Sequence, residues 1–209
     1  MKTGKILKIA LSFLLIAPLV TGSIAKTVKE TEQTETAVFA GGCFWCTESD
    51  FERVEGVVEA ISGYTAGREK NPTYKRVSAG VTGHTEAVKV IYDPQKVSYA
   101  ELLEVYWPSI DPTVKDKQFC DTGSQYRTGI YYQGESQKKL ALASLVKLEK
   151  SKRFKKIYTE VEPLGVFYEA EGYHQNYYKE SPIRYNYYRY SCGRDQRLKE
   201  LWGEDALKH

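Results

Sequence analysis

The sequence predicts a single α+β domain in which helices flank a mixed β-sheet. Short apolar strands and amphipathic helices alternate along the 209-residue chain, but they do not follow the strict repeat of a βαβ fold. The part of the chain that follows an N-terminal targeting segment is long enough for one domain with its own hydrophobic core.

Residues 1–25 have the pattern of a secretory signal peptide. Three lysines precede an apolar run at 9–20 that is too short to span a bilayer comfortably. Small residues just before Lys26 suit cleavage there, so we expect an exported protein, periplasmic or secreted, without a stable membrane anchor. An uncleaved N-terminal anchor is the alternative. Residues 26–35 are polar and predict a flexible leader, and residues 36–209 form the predicted domain.

Charge and cysteine content narrow the functional classes. The formal net charge is +3, and the three lysines before the apolar run account for this excess, so the mature chain is formally neutral. A neutral chain gives no reason to expect a nucleic acid or another polyanion as a partner. The four cysteines are too few for a disulfide scaffold, and a single Cys-x-x-Cys pair is a weak zinc motif.

The periodicity of the apolar residues predicts the first strands and the first helix. An apolar run at 36–40 predicts the first strand, and residues 48–53 can form the helix that follows it. Residues 57–64 predict a strand that leads into a loop rich in Gly, Asn and Pro, which is a usual place for binding residues. Residues 84–92 alternate between two faces and predict a third strand.

A second helix is predicted to begin at Ser98, where Ser98 and Glu101 form a capping-box pattern, and to stop at Pro108. Residues 111–125 show no period and contain many turn residues, and a loop of this length in a compact domain is usually functional. The same patterns predict a strand at 127–132, a helix at 135–152, strands at 157–161 and 166–168, and helices at 171–180 and 198–202.

Cys43 is the first candidate for a reactive group. It follows a pair of glycines at the predicted turn from the first strand into the first helix. Unpaired N–H groups and the positive dipole end of a helix favour a thiolate, so we expect a nucleophilic sulfur here. A buried, inert cysteine is the alternative, but Cys46 completes a Cys-x-x-Cys spacing that favours redox chemistry. Phe44 and Trp45 supply apolar walls for an approaching substrate.

Glu86 is the candidate proton donor. It shares one face of the third strand with apolar residues, and burial of a carboxylate is costly, so we expect its pKa to rise and the group to act as an acid at neutral pH. The alternative is that Glu86 reaches water at the strand end, or pairs with Arg76 or Lys89.

Tyr74 and His174 are weaker candidates on local sequence. Tyr74 lies just beyond the Gly-rich and Pro-rich loop, and a functional hydroxyl and a ring that caps the core explain it equally well. His174 could act as a base, yet a lone histidine among tyrosines is more typical of packing and hydrogen bonding.

Four segments occur in a distinctive order: Gly42-Cys43-Phe44-Trp45, Gly83-His84-Thr85-Glu86, the stretch from Asp121 to Arg127, and Tyr173-His174-Gln175. Together they resemble the hallmark segments of the A-type peptide methionine sulfoxide reductases. The resemblance covers nearly all of residues 36–180, in order and at plausible spacing.

The resemblance implies a two-layer α/β plait that reduces the S epimer of methionine sulfoxide, free or in proteins, with electrons from a thioredoxin-type reductant. The chain departs from the family at Cys46, where glycine is usual, and at Cys120, where asparagine is common. The implied site residues are the nucleophile Cys43, the methyl-binding Phe44 and Trp45, the oxygen-side groups Tyr74, Glu86 and Tyr126, and the orienting acceptor Asp121.

The implied reaction needs a second thiol, because protonation by Glu86 and attack by Cys43 leave a sulfenic acid on Cys43. We expect Cys46 to resolve it, since the two sulfurs occupy neighbouring positions on one helical turn. Cys192 is the alternative, because the resolving cysteine of the resembling family often lies in the C-terminal segment. Cys120 comes third, since the adjacent carboxylate disfavours its thiolate. This reaction needs no metal or bound cofactor, because an external dithiol reduces the resulting disulfide. We expect the protein to be a monomer.

Two other functions fit part of the sequence. A thioredoxin-like disulfide oxidoreductase would also place a strand, a Cys-x-x-Cys pair and a helix in this order, but it leaves Glu86 and the loop at Asp121 unexplained. An exported binding module with a tyrosine-lined pocket would use Cys43 and Cys46 as a structural bridge. Turnover of methyl sulfoxide substrates with dithiothreitol, reduction of insulin, and no turnover of either would distinguish the three functions.

Overall fold

The computed structural model describes residue 1 and residues 33–206. Apart from residue 1, the predicted signal peptide lies outside the described residues, and so does the predicted leader up to residue 32. None of the helices between residues 33 and 206 is both long and apolar enough to cross a membrane.

The strands found within residues 33–206 are β1 (Glu35–Gly41), β2 (Val57–Thr65), β3 (Thr85–Tyr92), β4 (Lys117–Gln118), β5 (Asp121–Thr122), β6 (Thr128–Tyr132), β7 (Glu160–Pro163) and β8 (Tyr168–Glu169). The helices of the same region are α1 (Phe44–Phe51), α2 (Tyr74–Ser78), α3 (Tyr99–Tyr106), α4 (Gly134–Lys150), α5 (Tyr177–Glu180), α6 (Pro182–Ser191) and α7 (Arg194–Trp202). Short 3-10 helices lie at Trp107–Ser109, Ser124–Tyr126, Gly172–His174 and Gly203–Asp205.

Six of the strands form one mixed sheet in the order β7-β6-β1-β3-β2-β8. All neighbours in this sheet are antiparallel except β6 and β7, which are parallel. Strands β4 and β5 form a separate two-stranded hairpin. The predicted α+β class, with helices against a mixed sheet, is confirmed.

Strand β1 lies near the middle of the sheet and is buried on both faces. Side chains alternate along a strand, so Phe39 faces the helices, where it stacks on Phe51 of α1 at 4.8 Å and on Tyr106 of α3 at 5.1 Å between ring centroids. Val38 and Ala40 point to the opposite face and belong to a second apolar cluster. This double burial explains the continuous apolar run, and it places the residue that follows β1 in the protein interior.

Several predicted elements are confirmed with shifted ends. Helix α1 begins at Phe44, four residues before its predicted start. The capping box of α3 is present, because the Glu101 N–H donates to Ser98 Oγ at 3.2 Å and the Ser98 N–H donates to Glu101 Oε2 at 2.7 Å. The helix predicted at 171–180 is interrupted, since Asn176 adopts a left-handed φ of 54° between a 3-10 turn and α5.

Three parts of the prediction are corrected. The long loop at 111–125 contains the β4–β5 hairpin. The strand predicted at 157–161 corresponds to β7, which begins only at Glu160, where it pairs with β6. The strand predicted at 166–168 corresponds to β8, which begins at Tyr168, the last residue of the predicted range. Residues 182–191, to which the sequence assigned no helix or strand, form helix α6. Only Tyr185 and Arg189 of this helix are buried, and Tyr187 and Tyr190 are exposed, so its apolar periodicity is weak.

The C-terminal helices are attached to the rest of the domain by buried charges and a disulfide. Arg189 of α6 and Arg194 of α7 both pair with Asp50 of α1, at 2.7 Å and 3.3 Å. Cys120 and Cys192, 72 residues apart in sequence, form a disulfide that the sequence did not predict. These contacts hold α6 and α7 against the helix that follows Cys43.

Candidate active site

Cys43 lies at the turn between β1 and α1, as predicted. Gly42 has a φ of 87°, and a Cβ there would come 2.5 Å from Cβ of Gln118, so this position requires glycine. Cys43 is the N-cap residue of α1, and its carbonyl accepts from the N–H groups of Cys46 at 3.2 Å and Thr47 at 3.3 Å. The turn therefore presents the cysteine side chain at the start of the helix.

Cys43 faces a cavity of about 70 Å³. All seven residues that the sequence assigned to catalysis or substrate binding line this cavity, together with Tyr188, which was not predicted. The lining consists of Cys43, Phe44, Trp45, Tyr74, Glu86, Asp121, Tyr126 and Tyr188. Residues separated by up to 145 positions in sequence thus converge on one small space.

Glu86 is a buried carboxyl group, with 2% of its surface exposed. Its pKa is raised to about 8, mainly by burial and also by the Asp121 carboxylate, whereas the hydrogen bond from the Phe44 N–H at 3.0 Å opposes the shift. A carboxylic acid with this pKa is mainly protonated at pH 7. The predicted pKa rise is confirmed, and Glu86 can donate a proton into the cavity.

The two free cysteines differ in acidity. Burial raises the pKa of Cys43 well above its ordinary value, and the neighbouring Cys46 and Glu86 act in the same direction. A hydrogen bond from Cys43 lowers the pKa of Cys46, and the charges of Arg194 and Arg189 assist against the effect of burial. The expectation of a Cys43 thiolate in the resting protein is therefore wrong, because desolvation outweighs the helix N-terminus.

Two tyrosine hydroxyls face the cavity as neutral donors. Burial raises the pKa of Tyr74 to about 12, and the charge of Glu86 adds to this effect. Burial likewise raises the pKa of Tyr126 above its usual value. The backbone N–H of Tyr74 donates to Glu171 Oε1 at 2.8 Å, which fixes the start of α2 beside the cavity. Both hydroxyls remain protonated at neutral pH and can donate to an oxygen.

An aromatic wall surrounds Trp45. Its indole ring stacks on Tyr177 at 3.8 Å between centroids, and its Nε1–H donates to His174 Nδ1 at 3.1 Å. Burial lowers the pKa of His174, so its imidazole is neutral and accepts this bond. His174 also packs on Phe44 at 4.9 Å. The packing role expected for His174 is the one that the structure shows.

Asp121 and Tyr188 form the side of the cavity that faces the C-terminal helices. The Tyr188 hydroxyl donates to Asp121 Oδ2 at 2.5 Å. Burial raises the pKa of Asp121, and this hydrogen bond opposes the rise. Tyr188 is one of 17 tyrosines in the chain, and its local sequence does not distinguish it from the others. A helical projection of residues 182–191 would have placed it on the same face as Tyr185, which is buried.

Cys192 and Cys120, the second and third candidates for the resolving thiol, are bonded to each other. Neither is therefore a free thiol in this structure, whereas Cys43 and Cys46 are free and buried. The structural bridge considered for Cys43 and Cys46 is absent. Among the described cysteines, Cys46 is the free thiol next to Cys43.

Comparisons with known proteins identify relatives. A model of the family described as peptide methionine sulfoxide reductase matches residues 35–206. The peptide methionine sulfoxide reductase MsrA of Halalkalibacterium halodurans is 46% identical over 83% of this chain and 99% of its own length. The MsrA/MsrB protein of Vibrio cholerae is 47% identical over 84% of this chain, which spans only 47% of that relative.

A solved structure agrees with the sequence match. The reduced form of Mxr1 from Saccharomyces cerevisiae superposes with a TM-score of 0.67 at 34% identity, over 75% of this chain and 91% of that chain. The sheet and the helices around the cavity fall within the region that the family model matches.

Proposed function

This chain belongs to the peptide methionine sulfoxide reductase family, and we propose how its residues carry out the reaction. The reaction is the thiol-dependent reduction of the S epimer of methionine sulfoxide to methionine. One observation carries the proposal: a cysteine and a protonated carboxyl group face the same small cavity. Membership of this family excludes the two alternative functions, a thioredoxin-like disulfide oxidoreductase and a binding module.

The cavity has the size and polarity for the end of a methionine sulfoxide side chain. We place the methyl group against Phe44 and Trp45, which form the apolar wall. The sulfoxide oxygen then lies towards Glu86, with the hydroxyls of Tyr74 and Tyr126 as further donors. This orientation points the sulfur towards Cys43.

Proton transfer activates both reactants. A sulfoxide sulfur is a poor electrophile until its oxygen is protonated, and Glu86 supplies that proton. Cys43 loses its own proton as its sulfur attacks the sulfoxide sulfur, and the Glu86 carboxylate, which has just given its proton to the oxygen, is the base in the same cavity that takes it. The attack forms a bond between the Cys43 sulfur and the sulfoxide sulfur. The hydroxyl group then moves to the Cys43 sulfur as both the sulfur–sulfur bond and the sulfur–oxygen bond to the methionine sulfur break, so methionine leaves with an electron pair and Cys43 becomes a sulfenic acid.

Cys46 then resolves the sulfenic acid. Its thiol attacks the Cys43 sulfur, a disulfide forms, and the oxygen leaves as water. The carbonyl of Cys43 accepts from the Cys46 N–H at 3.2 Å, so the two residues share the first turn of α1. We propose that a thioredoxin-type dithiol reduces this disulfide, which restores both thiols for another cycle.

Replacing Cys46 by serine should stop recycling while leaving the first turnover in place. Each enzyme molecule is expected to release about one methionine and then to stall as the sulfenic acid, because the serine hydroxyl cannot form the disulfide. The amplitude of methionine release in rapid-quench experiments measures this, with thioredoxin, its reductase and NADPH present.

The matched control is Cys192→Ser, because Cys192 is the other cysteine considered for this role and is already bonded to Cys120. It should continue to turn over with the same thioredoxin system. Continued multiple turnover by Cys46→Ser, together with a Cys43–Cys192 bridge in peptide maps, would assign resolution to Cys192 instead.

We propose that the protein is exported, as the lysine-flanked apolar run indicates. Mass spectrometry of the native protein is then expected to find Lys26, or a residue close to it, at the N-terminus. A variant with a charged residue inside the apolar run should remain in the cytosol with an unprocessed N-terminus. Recovery of the full-length wild-type chain from the cytosol would contradict export.

A further inference from the structure

Tyr188 occupies a position that the catalytic scheme does not use. Its side chain lines the cavity, and its hydroxyl donates to Asp121 Oδ2 at 2.5 Å. Its ring meets the Trp45 ring edge-on at 5.9 Å between centroids. Tyr188 also lowers the pKa of Cys43, against the larger effect of burial. Tyr188 thus joins the nucleophile, the aromatic wall and Asp121.

Helix α6 directs Tyr185 and Tyr188 towards the domain, and only Tyr188 of these lines the cavity. Tyr187 and Tyr190 lie on the same helix with exposed fractions of 74% and 86%, whereas Tyr188 lines the cavity. Arg189, the next residue, pairs with Asp50 of α1 at 2.7 Å and is 7% exposed. The orientation of α6 is therefore set from the side of α1.

The Cys120–Cys192 disulfide lies next to both residues of the hydrogen bond between Tyr188 and Asp121. Cys120 immediately precedes Asp121, and Cys192 lies one helical turn beyond Tyr188, where its N–H donates to the Tyr188 carbonyl at 2.9 Å. The Cys120 N–H lies 3.3 Å from Cys192 Sγ, and that sulfur lies 4.0 Å from Asp121 Oδ2. The covalent link thus joins the backbones that carry the hydrogen-bonded pair Tyr188 and Asp121.

We propose that Tyr188 is a positioning residue of the active site and that the Cys120–Cys192 disulfide is a permanent cross-link that holds it against Asp121. The disulfide then takes no part in electron transfer. The proposal rests on the role proposed above for Cys43 as nucleophile.

The physical effect is pre-organisation. Asp121 is partly buried, and a hydrogen bond from a neighbouring hydroxyl stabilises its charged form. Tyr188 also lowers the pKa of Cys43. Its hydroxyl has a single proton, which it gives to Asp121 in the resting site and can turn towards Cys43 as that sulfur becomes charged. The cross-link limits the movement of the Asp121 loop relative to α6 before substrate arrives, so less ordering remains to be done during binding.

The first test compares Tyr188→Phe with Tyr187→Phe and Tyr190→Phe, which remove a hydroxyl from exposed positions of the same helix. We expect Tyr188→Phe to lower kcat/KM on the order of 10-fold to 100-fold, as for loss of a hydrogen bond to a charged group. The pH midpoint for alkylation of Cys43 by iodoacetamide should also move upwards, which a loss of packing alone would not cause. The two control variants should match the wild type in both measurements.

The second test replaces Cys120 and Cys192 by serine together, in the wild-type and Tyr188→Phe backgrounds. In the wild-type background kcat/KM should fall in the same direction as for Tyr188→Phe. In the Tyr188→Phe background the same change should have little further effect, because the cross-link acts through that residue. Losses that multiply in the combined variant would contradict this coupling.

Peptide mapping of the wild-type enzyme provides a measurement that needs no variant. After many turnovers with thioredoxin, the Cys120–Cys192 peptide should remain disulfide-bonded in every sample taken during the cycle. Opening of this bond in step with methionine release would overturn the cross-link role. Because methionine release in the first turnover reports on Cys43 separately, failure of the cross-link proposal is distinguishable from failure of the catalytic scheme.

Discussion

Replacing Cys43 by serine is expected to abolish methionine release and to leave the fold intact. The serine hydroxyl has a far higher pKa than a thiol, and the Glu86 carboxylate is too weak a base to deprotonate it. No sulfenic acid can form on that residue, so even the first turnover should be lost. Rapid-quench measurement of methionine per enzyme molecule, with the S epimer as substrate, tests this.

Stability should not explain the loss. Cys43 is the N-cap residue of α1 and makes no side-chain capping bond, and serine is among the preferred residues at this position. Thermal unfolding should therefore show unchanged stability, or a gain of about 1 kcal/mol if the hydroxyl caps the helix. The control is Cys192→Ser, which keeps the nucleophile and should still release about one methionine per enzyme molecule in the first turnover, more slowly because the Cys120–Cys192 cross-link is lost. Methionine release by a folded Cys43→Ser variant would refute the nucleophile assignment.

The predictions that succeeded rest on local rules. Alternation along β3 placed Glu86 on an apolar face, and burial raises the pKa of a carboxyl group that has no cationic partner. The glycine pair before Cys43 required a turn, and the capping box at Ser98 required a helix start. Such features depend on residues a few positions apart, so a single sequence contains them.

The failures involve contacts between distant segments. The state of Cys43 depends on burial by the whole domain, which a dipole argument from one short helix omits. Tyr188 and the Cys120–Cys192 disulfide depend on how α6 folds back, and this packing is determined by the buried pair of Arg189 with Asp50. A local sequence pattern does not predict a contact between residues more than a hundred positions apart.

Replacing Glu86 by glutamine should lower kcat on the order of 10²-fold to 10⁴-fold, with a much smaller effect on substrate binding. Glutamine has nearly the same shape, and its carbonyl can still accept the Phe44 N–H bond that Glu86 Oε2 accepts at 3.0 Å. Glutamine cannot donate a proton as an acid, so the sulfoxide oxygen is not protonated during the reaction. Single-turnover rates and KM for the S epimer separate the two effects.

The pH dependence gives the sharper test of Glu86. The acid must be protonated to act, and its pKa is raised to about 8, so the wild-type rate should be retained at neutral pH and should fall as pH rises through about 8. Glu86→Gln should lack this decline. Glu48→Gln is the matched control, because burial also raises the pKa of Glu48, to about 7, but its carboxylate bonds to Ser62 and Asn176 outside the cavity lining. Glu48→Gln should keep the decline above pH 8, and loss of the decline in that variant instead of Glu86→Gln would move the acid role away from Glu86.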